Sequence, residues 1–445
     1  NSRTASSRTS ATMRTTSAEH SQAEPPNHDT ALVIGTSIEV AAAGSTPGQS
    51  VKVSAKILAT AKARTNWYMD GWASSMVTDG ETTYGVYVDP NLRPRIVSVT
   101  RGKVTDVAVE DGYTFDDDGH NELSMAVDSK GSLHILGNMH NHGLRYWVSR
   151  VPRSVEKGFD RHFDAIAGSF SYYSFFKNPK GDLFLIARAQ ALTAYYVPGG
   201  RGLGLYKMSP DGSWQARGEV PPSDKGKFPV IYWSATGIEE ASYQMFKADA
   251  QFDRRGRLHL TLQVFGQKAS AQNFVVYARS DDEGITWRRA DGTELALPLD
   301  MDREGAIPDI IDGRPDARLS ERSGLWIDGN DRPGVTYFLD GALWLRFHHG
   351  KTWQPRVKLM DSPPLRSVSL SDRNGTMTLG LGRSLLRLAD FTQSPEMVAL
   401  DANVFRWDRM APDLEKGFTG IDWNRKTGDW KLVRLEWSDQ KGRID

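Results

Sequence analysis

One short pattern returns seven times along this chain: an apolar residue, an Asp or Asn, two or three polar residues, a Gly, then an alternating apolar run. The copies centre on Gly80, Gly131, Gly181, Gly256, Gly334, Gly375 and Gly428, and Phe252-Asp-Arg-Arg-Gly-Arg-Leu-His-Leu-Thr-Leu is the cleanest of them. Alternation of period two on both sides of a glycine turn is the signature of a β-hairpin. Successive glycines stand 41 to 78 residues apart, and a four-stranded blade takes roughly 40–50 residues. The expected fold is therefore all-β, a seven-bladed β-propeller, with the wide gaps holding long loops. Residues 1–30, almost free of apolar side chains and rich in Ser, Thr, Arg and Ala, are expected to form a disordered tail. Residues 31–445 are then expected to make a single propeller domain.

Composition narrows the function classes. The 55 basic and 55 acidic residues cancel, which argues against a general nucleic-acid binder and leaves an anionic ligand dependent on local basic groups. The absence of cysteine excludes disulfides, thiol catalysis and Cys-ligated zinc. No apolar run approaches the roughly 18 residues of a membrane span. The displayed chain has no hydrophobic signal core, while its Ser/Thr-rich start favours an exported protein, secreted or periplasmic. A monomer is expected.

Four of the ten histidines fall between Asp116 and Arg150. His120 precedes the alternating strand Leu123-Ser-Met-Ala-Val127, and His140 follows the returning strand Leu133-His-Ile-Leu136. A hairpin brings its two ends together, so these histidines, 20 residues apart, can meet at one edge. His134 sits among apolar residues inside a strand, as His259 does in a later copy, and both read as core. His142 is undecided. In the next copy Tyr172 and Arg188 bracket the hairpin in the same way, and equivalent ends of neighbouring blades face one mouth. An arginine closing an apolar strand needs an anionic partner, either a substrate or a structural Asp182 or Asp249. Tyr243 precedes the following inner strand.

Ser280-Asp-Asp-Glu-Gly-Ile-Thr-Trp287 resembles the Asp-box of the bacterial neuraminidase repeat, a structural hairpin motif, and His349-Gly-Lys-Thr-Trp353 resembles a worn copy. More broadly, His120–Arg150, Ser171–Arg188 and Phe252–Val264 resemble the propeller family that includes the ulvan lyases, with neighbouring rhamnose–glucuronate lyases and a rhamnosidase. The resemblance covers roughly residues 110–265. It implies a cleft lined by His120, His140, Tyr172, Arg188 and a later tyrosine, matched loosely by Tyr243, with Tyr232 as its rival. It implies β-elimination from a uronate-containing, ulvan-like polysaccharide, leaving a 4,5-unsaturated uronyl end. His120 or His140 would be the base, Tyr243 the acid or both acid and base, and Arg188 and Tyr172 the carboxylate binders. His142, Arg145 and Asn121 are further candidate sugar contacts. No cofactor is expected. Zinc sites of some relatives use cysteine and are not carried over, although the imidazoles leave a divalent metal open. Two other classes stay open: a glycosidase using the carboxylates Asp116, Asp117, Asp118 and Glu122, and a non-catalytic glycan binder stacking sugars on Trp233, Tyr195 and Tyr196.

Overall fold

The computed structural model describes residues 53–65, 73–163, 165–190, 201–221, 229–233, 243–266, 273–314, 323–361, 367–371, 377–388, 391, 396–407 and 417–437. Every regular element among them is a β-strand. The first blade holds β2 (Met76–Asp79), β3 (Thr82–Val88), β4 (Pro94–Thr100) and β5 (Lys103–Ala108), all paired antiparallel, after a leading strand β1 (Val53–Lys62). The second blade is β6 (Leu123–Val127), β7 (Leu133–Gly137), β8 (Tyr146–Ser149) and β9 (Phe159–Arg161). The third is β10 (Ser169–Lys177), β11 (Leu183–Gln190), β12 (Gly202–Met208) and β13 (Trp214–Arg217).

In the fourth blade β14 (Tyr243–Phe252), β15 (Leu258–Gly266) and β16 (Asn273–Ser280) are joined by the short β17 (Trp287–Arg288) and β18 (Glu294–Leu295), and β19 (Asp309–Arg314) also pairs β16. The fifth has β20 (Ser323–Ile327), β21 (Pro333–Leu339), β22 (Ala342–His349), β23 (Thr352–Trp353) and β24 (Val357–Asp361). The last two share one hydrogen-bonded sheet of β25 (Ser367–Ser371), β26 (Met377–Leu388), β27 (Glu396–Trp407), β28 (Phe418–Trp423), β29 (Asp429–Trp437) and β1. The early part of β27 pairs β26 and its end pairs β28. Seven blades result, and β1 closes the ring by pairing with β29 from Val53↔Trp437 to Lys62↔Asp429. The predicted tail, 1–30, lies outside the described residues.

The recurring Asp or Asn explains the turns. Asp128 Oδ1 accepts the amides of Lys130 and Ser132 at 2.9 and 2.7 Å, Asn178 those of Lys180 and Asp182, and Asp253 those of Arg255 and Arg257. The glycine three positions on takes φ of 83–89°, which a side chain resists. Two copies differ from the sequence reading. Around Asp328 the left-handed position falls on Asp331, with φ 58°, while Gly334 lies inside β21, where a Cβ would stand 2.7 Å from the Phe391 ring. The Gly428 turn joins β28 to β29, one strand later than the others, because the end of β27 supplies the first strand of that blade. Gly375 is outside the described residues.

Buried aromatic side chains pack between the blades, with Trp147, Trp287, Trp326, Trp423 and Trp430 all fully buried; each such side chain contributes on the order of 2–3 kcal/mol. The Asp-box is structural: Asp282 accepts the amides of Ile285 and Thr286 and the Ser280 and Thr286 hydroxyls, and Trp287 Nε1 donates to Gly284. His134 and His259 are buried, as expected. Each lies between a tyrosine hydroxyl (Tyr146, Tyr277) and the aspartate of its own turn, with Nε2 3.3 Å from Asp128 or Asp253.

Burial holds both imidazoles below their ordinary range, the aspartates offsetting only part of that. Below pH about 6.5 the unfolded chain therefore binds more protons than the folded one. The stabilisation is complete above that pH and is lost as the pH falls. Asp253, brought down to about 2 by His259 and backbone amides against the effect of burial, adds a loss only at much lower pH. The thermal midpoint should hold steady above pH about 7 and fall between pH 6.5 and 5, less steeply in a His134→Gln/His259→Gln protein. A wild-type midpoint unchanged across that interval would refute the coupling.

Candidate active site

The innermost strands of blades two to four all begin at one face, and the chemistry-bearing residues collect there. His120 stands just before β6 and His140 just after β7, and their rings stack at 4.3 Å between centroids with 27° between planes. Asp118 joins them. Its Oδ1 meets His120 Nδ1 at 2.7 Å and its Oδ2 meets His140 Nδ1 at 2.6 Å, while the His120 amide also donates to Oδ1. Burial opposes ionisation of Asp118, yet the hydrogen bonds from His120 and His140 outweigh it and hold the carboxyl well below the usual carboxylate range. An ionised carboxylate only accepts, so both Nδ1 atoms carry hydrogen. In each neutral ring Nε2 is then the acceptor nitrogen, the one able to take a proton.

Tyr172 faces this pair edge-on, 6.4 Å from His120 and 6.1 Å from His140. It is the extra residue of a β-bulge: the register of β10 on β11 slips between Ser171 and Tyr173, and Tyr172 takes φ 48°. The bulge breaks the alternation and re-aims the side chain. Arg188, 1 % exposed at the end of β11, sets its guanidinium carbon 4.3 Å over the Tyr172 ring. Lys247, 6 % exposed, stands 5.3 Å over the same ring. It too lies at a register slip, between Met245 and Ala248 of β14. The sequence reading missed Lys247, because strict alternation along Met245–Phe252 does not predict where a bulge turns a side chain. Of the acidic partners considered for Arg188, Asp182 pairs with Lys207 at 2.9 Å and Asp249 accepts the Leu325 amide.

The remaining candidates separate. His142 is anchored beside the site by backbone pairing with Phe170, and burial, helped by Arg145, holds its imidazole below the ordinary range. Arg145 is engaged with Asp116 at 3.4 Å and the Tyr113 hydroxyl at 3.1 Å. Asn121 is fully buried and donates to the Asp116 carbonyl, so it braces the loop instead of facing a ligand. Tyr243 is the first residue of β14, at the same face, but its side chain lies outside the described residues. Its rival Tyr232 is fully buried, bridged by backbone to Leu203 and Leu299. Trp233 is 7 % exposed and packs over Gly202, whereas Tyr195 and Tyr196 are outside the described residues. Asp118, His120 and His140 each offer one ligand atom, all within 4.8 Å of one another, and are where a divalent cation would be held. In the present arrangement the Nδ1 atom of each ring carries the hydrogen that Asp118 accepts.

Residues 84–355 match the model of the BNR repeat-containing family. The chain belongs to that family. No significant relative of this BNR-repeat protein is found among curated protein sequences. Its fold is similar to that of the polysaccharide lyase Uly1, with TM-score 0.64 and 12 % identity over 84 % of this chain and 91 % of that one. It is also similar to an ulvan lyase described as a new polysaccharide lyase family, PL25, with TM-score 0.58 and 14 % identity over 85 % and 95 % of the two chains. That ulvan lyase has also been solved bound to -[GlcA(1-4)Rha3S]-. These likenesses establish the shared propeller fold.

The loop carrying His140 is fixed by Asn141, which has φ 64° and whose Oδ1 accepts from Ser171 Oγ at 2.9 Å and Arg188 Nη2 at 3.4 Å. Asn141→Gly loses the side-chain bonds but keeps the backbone unstrained, whereas Asn141→Ala loses the bonds and adds left-handed strain. The Ala protein should be less stable than the Gly protein by about 1 kcal/mol, read from urea midpoints. Equal midpoints would contradict the left-handed backbone.

Proposed function

We propose that this chain is a polysaccharide lyase that cleaves a uronate-containing polymer, of the rhamnose–glucuronate type found in ulvan, by β-elimination. The observation that carries the reading is the pair of imidazoles oriented by one ionised carboxylate beside a tyrosine that holds two buried cations, Arg188 and Lys247, at its ring.

The chemistry follows from what elimination requires. The C5 hydrogen of a uronate leaves only when the neighbouring carboxylate is neutralised. A guanidinium in fixed position pairs with a carboxylate in two-point fashion and stabilises the charge that builds as the proton departs. Arg188, with Lys247 beside the same ring, supplies that positive field. His120 or His140 removes the proton through Nε2, since Asp118 occupies the other nitrogen of each. Tyr243, from the first residue of β14, protonates the leaving oxygen at C4. The C4–O bond breaks, a C4=C5 double bond forms, and no water or electron donor is consumed. We further propose that the enzyme works as a monomer without a metal, and outside the cytoplasm, secreted or periplasmic, where polymeric substrate is met.

The glycosidase alternative has less support. Three of its four candidate carboxylates are already engaged, Asp116 with Arg145, Asp118 with both imidazoles, and Glu122 with buried Arg406 at 3.2 Å, and Asp117 is exposed to solvent.

The test is absorbance of the unsaturated uronyl product against ulvan and other uronate polymers. Wild type should generate it, and His120→Ala and Arg188→Ala should each lower kcat/KM by about a hundredfold or more. New reducing ends without absorbance would identify a hydrolase instead, and full absorbance in both variants would remove the site assignment. Treatment with a chelator should leave the rate unchanged; a loss restored by a divalent cation would make Asp118, His120 and His140 metal ligands.

A further inference from the structure

Two buried arginines reach the loop bearing Asp118 and His120, and both come from the part of the chain that closes the ring. Arg64, two residues past β1 and 4 % exposed, donates from Nη2 to the Asp118 carbonyl at 2.8 Å and to the Asn121 carbonyl at 3.5 Å. Its own position is fixed on both sides of the seam: the Ala63 amide bonds Gly428 of the last blade, and the Arg64 amide bonds Val88 of the first, each at 2.8 Å. Arg406, 1 % exposed at the end of β27, pairs with the Glu122 carboxylate at 3.2 Å. Through Nη1 it donates to the carbonyls of Ala73 and Leu123 at 3.3 and 3.4 Å and to Ser75 Oγ. Tyr173 adds a bond from its hydroxyl to the Glu122 carbonyl. The five residues from Asp118 to Glu122 are thus gripped at both ends, with His120 in the middle.

We infer that Arg64 and Arg406 are positioning residues: they hold the 118–122 loop where one carboxylate meets two imidazoles, and so make the geometry of the site depend on ring closure by β1 and β27–β29. The physical reason is directional. Asp118 orders both rings only while its two oxygens stay within hydrogen-bond reach of two nitrogens carried on different loops, and a buried guanidinium holds the backbone carbonyl of that same aspartate. A purely stabilising role would show itself differently, because loss of a buried ion pair weakens a fold without selecting particular histidines.

The histidine tautomers separate the two roles. Protein labelled with nitrogen-15 at histidine is compared as wild type, Arg64→Met, Arg64→Lys, Arg406→Met and Glu122→Gln, using long-range nitrogen–proton spectra. Signals are assigned through His120→Ala and His140→Ala. Wild type should show His120 and His140 with hydrogen on Nδ1. In Arg64→Met and Arg406→Met these two should become tautomer mixtures while His134 and His259 keep their wild-type signals, and Arg64→Lys should recover part of the order. Should Arg406→Met fail to fold, Glu122→Gln weakens the same ion pair without opening a void and carries the same expectation.

Unchanged His120 and His140 signals in the folded variants would overturn the inference, as would a disturbance that reaches His134 and His259 equally. The activity arm rests on the lyase reading: kcat should fall about tenfold with KM little altered. Should wild type prove inactive on every uronate polymer, the lyase reading fails while the tautomer result still decides the positioning role.

Discussion

Everything in this molecule depends on a ring of sheets being closed by the chain's own distant ends. Strand β1 pairs with β29 along its whole length, from Val53↔Trp437 to Lys62↔Asp429. Without that pairing β29 would present a long row of free backbone donors and acceptors at a sheet edge, the arrangement that natural sheets cover or shorten. Closure also fixes the angle at which each blade meets its neighbours. The faces buried between blades carry fully buried tryptophans and tyrosines such as Trp147, Trp430 and Tyr84, and these pack well only at one inter-blade distance. A closed ring then gathers the first ends of the inner strands at one mouth, where loops from different blades can share chemistry.

A repeated scaffold does not by itself make a non-repeated site. The difference comes from local breaks in the ladder. Tyr172 at the slip in β10 and Lys247 at the slip in β14 sit in adjacent blades near the same end of their strands. Each slip releases one or two residues from the period-two pattern, and the released side chains share one aromatic ring with Arg188. The left-handed backbone of Tyr172 costs of order 1–2 kcal/mol, which the surrounding blade must offset. Strain of this kind persists where neighbouring structure holds it in place, and the neighbours here are the Asn141–Ser171 bonds and the packed rings of blade three.

How much of this could be read from the residues alone follows from the same physics. The hairpins were legible because an Asp or Asn capturing two amides and a glycine at positive φ are local requirements that leave a local pattern. The His120–His140 juxtaposition was legible because a hairpin returns its ends to one edge. Gly334 misled because the turn needs a left-handed residue and not glycine as such, and Asp331 fills that role. Gly428 misled because the pattern marks a hairpin without saying which pair of strands it joins. Lys247 and the Arg64 and Arg406 contacts left no local trace: a bulge is a register event, and a guanidinium reaching across the seam depends on closure between residues more than 280 apart, as with Arg406 and Leu123.

The carboxylates show most clearly why proximity in sequence is a poor guide to role. Asp116, Asp117, Asp118 and Glu122 lie within seven residues, and a glycosidase needs two carboxyl groups facing one bond. The loop instead sends them in different directions. Asp116 turns to Arg145, Asp117 is exposed to solvent, and Glu122 is buried against Arg406. Only Asp118 faces the histidines, and its two oxygens are both taken by Nδ1 atoms. A carboxylate in that position is a poor nucleophile and a poor acid, because its low proton affinity is maintained by the bonds it accepts. What it does well is fix the orientation of two imidazoles. With two buried cations at the adjacent tyrosine, that arrangement supports the proposed removal of a proton beside a carboxylate better than it supports a carboxylate attack on a glycosidic carbon.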